Sequence, residues 1–185
     1  MFRFNRKTSA CLAAAGLAFA MFAATAVAHE SESELISAAN STLATFQQTD
    51  PSMTALLNRA PGYVVFPAIG KAGLGVGGAH GKGVLFEGGK PVGKAELTQL
   101  NVGAEAGAQK YSEVIVFESA TDLAKFKEGK FAFSGNVSAV ALKSGVAATA
   151  KFENGVAVFT YAEGGLMYEA SVGGQKFSFH PFGAQ

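Results

Sequence analysis

The chain has 185 residues, of which 49% are hydrophobic and 16% charged, and it contains 23 glycines and one cysteine. Its 15 basic and 14 acidic side chains leave a formal net charge of +1, which excludes a strongly basic nucleic-acid-binding protein. With no tryptophan and a single cysteine, the composition also excludes a disulfide-rich scaffold.

The N-terminus has the pattern of an export signal. Arg3, Arg6 and Lys7 precede an apolar run over residues 10–26, and Ala26-Val27-Ala28 supplies the small residues that signal peptidase requires. The run has about 17 residues, which is short for a spanning helix. We therefore predict a signal peptide over residues 1–28, cleaved after Ala28, and an exported protein that is periplasmic or peripherally associated with the cell envelope. An uncleaved N-terminal anchor is the alternative.

The predicted mature chain, residues 29–185, retains 12 basic and 14 acidic side chains and a formal net charge of −2. Because Cys11 is removed with the signal, this chain has no disulfide, no thiol catalysis and no cysteine metal site. Its length is typical of a single domain. We expect a helical segment over residues 29–60 that packs with a β-rich part over residues 61–185.

Two helices are predicted first. Apolar residues recur at near-helical spacing over residues 30–48, and Pro51 ends this pattern. A second short helix follows, with Met53, Leu56 and Leu57 on one side.

Short strands separated by glycine turns are predicted from Tyr63 onward. Residues 63–66 form an apolar strand that Pro67 closes, and residues 112–117 are apolar on both faces, which indicates cover on both sides. Ser119 is then the N-cap of a predicted helix that stops at Gly129. The pattern is a capping box, in which the Asp122 side chain accepts a hydrogen bond from the Ser119 amide.

The C-terminal third has the pattern of antiparallel hairpins. Asn154-Gly155 is a strong type I′ turn signal, and glycine pairs at 164–165 and 173–174 follow at intervals of about ten residues. We predict strands over residues 156–161, 166–172 and 176–182 in a meander. In the last strand, Phe177 and Phe179 share the core face, and Lys176, Ser178 and His180 share the solvent-exposed face.

Glycines inside strand-like stretches, at residues 73–78 and 102–107, indicate sharp bends or close backbone approach. The predicted fold class is therefore α+β and mainly β. We expect a strongly curved antiparallel sheet or barrel-like sandwich, with N-terminal helices and one inserted short helix.

Catalytic and cofactor motifs do not fit the sequence. Gly73, Gly75 and Gly78 satisfy G-x-G-x-x-G, but a strand pattern follows where a nucleotide site needs a helix. The sequence has no H-E-x-x-H and no G-x-S-x-G motif, and its histidines lack ligand spacing. We predict no enzyme activity, no catalytic residues, no cofactor and no metal.

A cluster of lysines stands out in the glycine-rich hairpins. Its members, opposed only by Glu87, are Lys71, Lys82, Lys90 and Lys94. One interpretation is a patch for anionic lipid head groups, and the other is a set of solubilising lysines that block edge-to-edge strand pairing.

A series of segments resembles the SYLF domain family. These are PGYVVFP at residues 61–67, the glycine-rich residues 71–83, VGAEAGAQ at residues 102–109, VIVF at residues 114–117 and YAEGGLMY at residues 161–168. The similarity extends from about Pro61 to Phe182.

The resemblance implies a non-catalytic lipid-binding module of the cell envelope, with membrane lipids, anionic ones above all, as partners. Eukaryotic members bind phosphoinositides and some bind actin, whereas bacterial members are exported. The acidic residues 30–48 differ from the basic N-terminal segment of the eukaryotic members, so phosphoinositide specificity is not expected. Actin binding is not expected either, because an exported protein of bacterial type has no actin partner. Two alternatives stay open: a periplasmic scaffold for a protein partner that the sequence does not identify, and a small outer-membrane β-barrel.

Overall fold

The computed structural model describes residues 32–133, 138–162 and 174–183, and those of them from Leu35 onward form one compact unit. Helix α1 covers residues 32–49 and helix α2 covers Ser52–Arg59. Both predicted helices are therefore confirmed within the described residues. None of the helices in these ranges is long and apolar enough to cross a membrane. The predicted signal peptide and its cleavage point lie outside the described residues.

Asp50 connects the two helices to a distant loop. Its Oδ1 accepts hydrogen bonds from Ser52 N at 3.0 Å, from Ser52 Oγ at 2.6 Å and from Gly145 N at 3.0 Å. Its Oδ2 accepts a hydrogen bond from Ala147 N at 2.7 Å, at the start of the short 3₁₀ helix Ala147–Thr149. Asp50 is fully buried, and it holds together segments that are almost one hundred residues apart.

A long antiparallel hairpin forms most of the sheet. Strand β1 runs over Tyr63–Glu87 and strand β2 over Lys90–Phe117, and the turn between them is formed by Gly88 and Gly89. The prediction of short strands was wrong here, as was the prediction that Pro67 closes the first one. Pro67 lies at a bulge between the paired residues Phe66 and Ile69, where a missing N–H does not break the ladder.

Strand β1 folds back on itself. A straight strand of this length would span about 80 Å, yet the rings of Tyr63 and Phe86 are stacked with centroids 5.3 Å apart. A side chain at Gly83 would place its Cβ 2.6 Å from the carbonyl oxygen of Val65. Glycine at this position thus permits a close backbone approach, of the kind predicted for the glycines at residues 73–78 of the same strand.

Strand β2 is the centre of the sheet. Besides β1 it pairs with β4 (Val156–Ala162) at one end and with β5 (Gln175–Pro181) at the other. The three-residue strand β3 (Ala139–Ala141) runs parallel to β4 at the edge. Over the described residues the sheet does not close on itself, since its strand order is β1-β2-β4-β3 with β5 beside β2.

The sheet carries a hydrophobic core on each face. One core contains, among others, Phe66, Ile115, Phe117, Phe126 and Phe177. The other, against α1, α2 and the 3₁₀ helix, contains among others Phe46, Met53, Leu56, Val114 and Phe159. Residues 113–117 are buried throughout, which confirms that this segment is covered on both sides.

Local signals in the second half of the chain are confirmed, with one difference. Helix α3 covers Ala120–Lys127, and Ser119 Oγ accepts a hydrogen bond from Asp122 N at 3.2 Å. The Asp122 carboxylate, however, accepts a hydrogen bond from the Ser119 hydroxyl at 2.6 Å, where the prediction had the amide as donor. Asn154 and Gly155 have φ values of 52° and 81°, as a type I′ turn requires.

The predicted C-terminal strands are confirmed at β4 and β5, and the predicted strand over residues 166–172 lies outside the described residues, as do the glycines at 164–165 and 173. In β5, Phe177 is buried and Phe179 is packed against the same core, as predicted. The observed architecture is an α+β fold that is mainly β, with a strongly curved and mostly antiparallel sheet, which confirms the predicted fold class.

Candidate functional site: a basic face on three strands

Basic side chains of three neighbouring strands lie on one face of the sheet. In the ladder between β1 and β2, Lys82 is opposite Glu96 and His80 is opposite Thr98. In the ladder between β2 and β5, His180 is opposite Lys94 and Lys176 is opposite Thr98. Directly paired residues of antiparallel strands project to the same side, so these residues form one surface. We call it the outer basic face and define it by His80, Lys82, Lys94, Lys176 and His180.

The outer basic face is accessible to solvent. His80, Lys82, Lys176 and His180 are exposed, and Lys94 is partly exposed. The neighbouring positions on the same strands, including Leu97 and Phe177, point into the core. This alternation fixes the direction of the basic side chains, because consecutive residues of a strand project to opposite faces.

Glu96 is an acidic residue in the middle of this face. Its Oε1 lies 2.9 Å from Lys94 Nζ. The hydrogen bond from Lys94, together with the charges of Lys94, His180 and Lys82, lowers the pKa of Glu96, although partial burial opposes the shift. Glu96 is therefore ionised at neutral pH and reduces the positive charge of the face.

Only two of the four lysines predicted from sequence meet on this surface. Lys82 and Lys94 belong to the outer basic face, on the two strands of the hairpin. Lys71 lies earlier in β1, two residues after the core residue Ile69 and on the same side of the strand. Lys90 lies at the hairpin turn, opposite Glu87.

Glu87, the one acidic neighbour that sequence reasoning assigned to the lysines, has a different main partner. Its Oε1 is 2.7 Å from Nζ of Lys127 in helix α3. The acidic residue that does face Lys82 and Lys94 is Glu96. Closeness in sequence between Glu87 and the lysines did not predict contact in space, because the bend and the pairing of the hairpin determine which side chains are neighbours.

Lys176, His80 and His180 were missed as site residues. The sequence pattern already placed Lys176 and His180 on the wet face of the last strand. It did not indicate that this strand lies beside residues 93–99 of β2. That pairing joins residues about eighty positions apart in the chain, and no local pattern encodes it.

A second polar group, around Glu113, lies inside the protein. Glu113 is fully buried, and its Oε2 accepts a hydrogen bond from Gln175 Nε2 at 3.2 Å. Burial raises the pKa of Glu113 to about 8, although the Gln175 hydrogen bond opposes the shift. Among the described residues, Glu113 Oε1, Gln175 Oε1 and Thr160 Oγ1 make no hydrogen bond. The carboxyl group is thus mostly protonated at pH 7, where it is a hydrogen-bond donor inside the core.

Within the described ranges, no three or more histidine, cysteine, aspartate or glutamate side chains are grouped so that they could hold a metal ion. His80 and His180 lie on the two outer strands of the three, with β2 between them. The arrangement provides a cationic surface for anions.

Comparison with known proteins gives a family match. A family model described as "Ysc84: Las17-binding protein actin regulator" matches residues 98–181, which include most of β2 and all of β3, β4 and β5. This is the family, also called SYLF, that the sequence resembles, and the predicted resemblance is confirmed. The matched segment contains Lys176 and His180 of the outer basic face, while Lys82 and Lys94 lie before it.

A characterised relative shows the same similarity over a longer segment. The chain is 29% identical over 130 residues to the beta cell expansion factor A of Aeromonas veronii, an alignment that covers 69% of this chain. The aligned part of this chain spans about half of that relative, 49% of the relative's length. The match to this family suggests a lipid-binding or actin-related module.

Proposed function

We propose that the protein, whose residues 98–181 match the SYLF family model, is a non-catalytic module that binds anionic membrane lipids through its outer basic face. The observation that carries the proposal is the alignment of Lys82, Lys94 and Lys176 across three adjacent strands. Lysines near an anionic bilayer each contribute about 1 kcal/mol of attraction. We further propose that the protein is exported and acts in the cell envelope, after cleavage behind Ala28.

Charge reversal on this face should abolish membrane binding. For Lys82→Glu combined with Lys176→Glu, we expect the affinity for vesicles with 30% phosphatidylglycerol to fall by at least about tenfold, because two positive charges become negative and the net charge of the face falls by four units. The measurement is flotation of the purified protein with these vesicles and with pure phosphatidylcholine. Binding to the anionic vesicles should also weaken in high salt, which screens exposed charges.

The matched control is Lys143→Glu combined with Lys151→Glu, which changes the net charge equally at two exposed lysines outside the face. Equal losses in both double variants would mean that net charge decides binding, and the outer basic face would lose its role. If the wild-type protein floats with neither type of vesicle, the proposal that it binds membranes is wrong. Binding of a protein partner then becomes the leading function, which the description of the matching family as Las17-binding favours.

Removing the acidic centre of the face should have the opposite effect. Glu96→Gln removes one negative charge and releases Lys94 Nζ from its ion pair, so we expect about fivefold tighter binding to the anionic vesicles. The control is Glu128→Gln, which breaks a comparable ion pair with Lys130 in another part of the surface. Unchanged or weaker binding of Glu96→Gln, measured by the same flotation, would contradict the proposal.

A further inference from the structure

A cavity of about 580 Å³ adjoins the outer basic face. This volume is within the range of small-molecule binding sites. Residues of the bend in β1 line one side of it, and residues of β2 and the start of β5 line the other. The uncharged lining includes Gly70, Ala72, Gly78, Thr98, Leu100 and Gly174.

The cavity is wide because small residues, glycine and alanine, line part of its wall. A Cβ at Gly70 would meet no atom within 4 Å, so the space beside this residue is open. Ala72, two residues further along β1, is exposed and adds only a methyl group. Leu100 at the rim is 84% exposed, which is unusual for a large apolar side chain. The walls therefore suit an apolar occupant.

Two basic side chains also line the cavity. They are His80 and Lys176, both members of the outer basic face. The two residues lie on opposite sides of Thr98, since each is its direct partner in a ladder. A molecule held here would meet apolar walls as well as the side chains of Lys176 and His80.

We propose that this cavity holds the acyl chain of a single-chain anionic amphiphile, such as a fatty acid, and that Lys176 and His80 bind its charged group. The inference rests on the proposed lipid-binding function and deepens it. Attraction of a membrane surface needs only the exposed lysines, whereas this site selects one lipid molecule with both an acyl chain and a negative charge.

The test is a calorimetric titration of the purified protein with monomeric oleate. Uncharged glyceryl monooleate is titrated for comparison. Two variants fill the cavity independently: Ala72→Trp and Gly70→Leu. Ala72 is exposed, and a Cβ at Gly70 would meet no atom within 4 Å, so both positions have open space beside them for a larger side chain. The matched control is Ala124→Trp, at an exposed position of helix α3 away from the cavity.

We expect the wild-type protein and Ala124→Trp to bind oleate, and each filled variant to bind it at least tenfold more weakly. Lys176→Gln should weaken oleate binding more than glyceryl monooleate binding. The inference is overturned if the wild-type protein does not bind oleate, or if both filled variants bind it as the wild type does. Flotation with anionic vesicles, measured in parallel, separates the two ideas: its failure in the wild type overturns the proposed function, whereas retained flotation without oleate binding overturns the cavity alone.

Discussion

Replacement of Asp50 with alanine is expected to lower the free energy of unfolding by about 4 kcal/mol, because hydrogen bonds to a charged group contribute about 1.5–3 kcal/mol each and buried donors are left without partners. The side chain accepts four hydrogen bonds, two from Ser52 and two from the backbone at Gly145 and Ala147. The measurement is urea denaturation at pH 7, with the slope of the transition used to check that both proteins unfold in one step.

Asp122, the other aspartate of the chain, is the matched control. Its carboxylate makes local contacts, with the cap residue Ser119 and with Lys125, so Asp122→Ala should cost only about 1 kcal/mol. Similar losses in the two variants would mean that Asp50 does not join distant segments.

Acid should remove the contribution of Asp50. Burial raises the pKa of Asp50, but the hydrogen bonds from Ser52, Ala147 and Gly145 together lower it below its ordinary value of 3.8. A lowered pKa adds stability at pH values above the ordinary one, and this stability is lost as the pH falls through the lowered value. The difference between the wild type and Asp50→Ala should therefore shrink below pH 4.

The second large effect is expected at Glu113, whose replacement with glutamine should stabilise the protein at alkaline pH. The ordinary pKa of this group is 4.5, and burial raises it to about 8 in the folded state. Between these values the folded protein holds a proton that the unfolded chain has released. The free energy of unfolding therefore falls as the pH rises, by at most about 1.4 kcal/mol per pH unit, and the fall ends as Glu113 ionises in the folded state.

Glu113→Gln removes this titration and retains a side chain of nearly the same shape. Urea denaturation at pH 5.5, 7 and 8.5 should show that the wild type loses stability over this range and that the variant loses much less. At pH 8.5 the variant should be more stable than the wild type by a few kcal/mol. The control is Glu118→Gln, at an exposed glutamate just after the same strand. An equal pH dependence in the wild type and Glu113→Gln would contradict the buried, protonated state.

The helices and the turn at Asn154 could be predicted because their signals are local. Helical periodicity, a proline break and the Asn-Gly pair depend on residues only a few positions apart. The same holds for the apolar segment around Ile115, whose pattern indicated cover on both sides. That prediction already implied a buried Glu113, since this residue lies inside the segment, but the pattern does not give the identity of its partner Gln175.

The long bent hairpin could not be predicted in the same way. A glycine can serve a turn, a bend or a close backbone approach, and the sequence alone did not single out Gly83 as the position where β1 approaches itself. Pro67 was interpreted as the end of a strand because a bulge that tolerates it depends on the partner strand. The basic face was predicted only in part for a related reason. Lys82 and Lys94 belong to a cluster of lysines that is visible in the sequence, whereas Lys176 lies beside them only because β5 pairs with β2.

The architecture of the hairpin also has a consequence for the order in which the chain assembles. The ladder between β1 and β2 begins at the pair Glu87 and Lys90, so it can grow outward from a two-residue loop at little entropic cost. Both β4 and β5 dock on the other edge of β2, and they come from the last thirty residues of the chain. We therefore expect the hairpin to form early and the docking of the C-terminal strands to be the slow step. Until that step, the free edge of β2 is the part of the chain most exposed to pairing with another molecule.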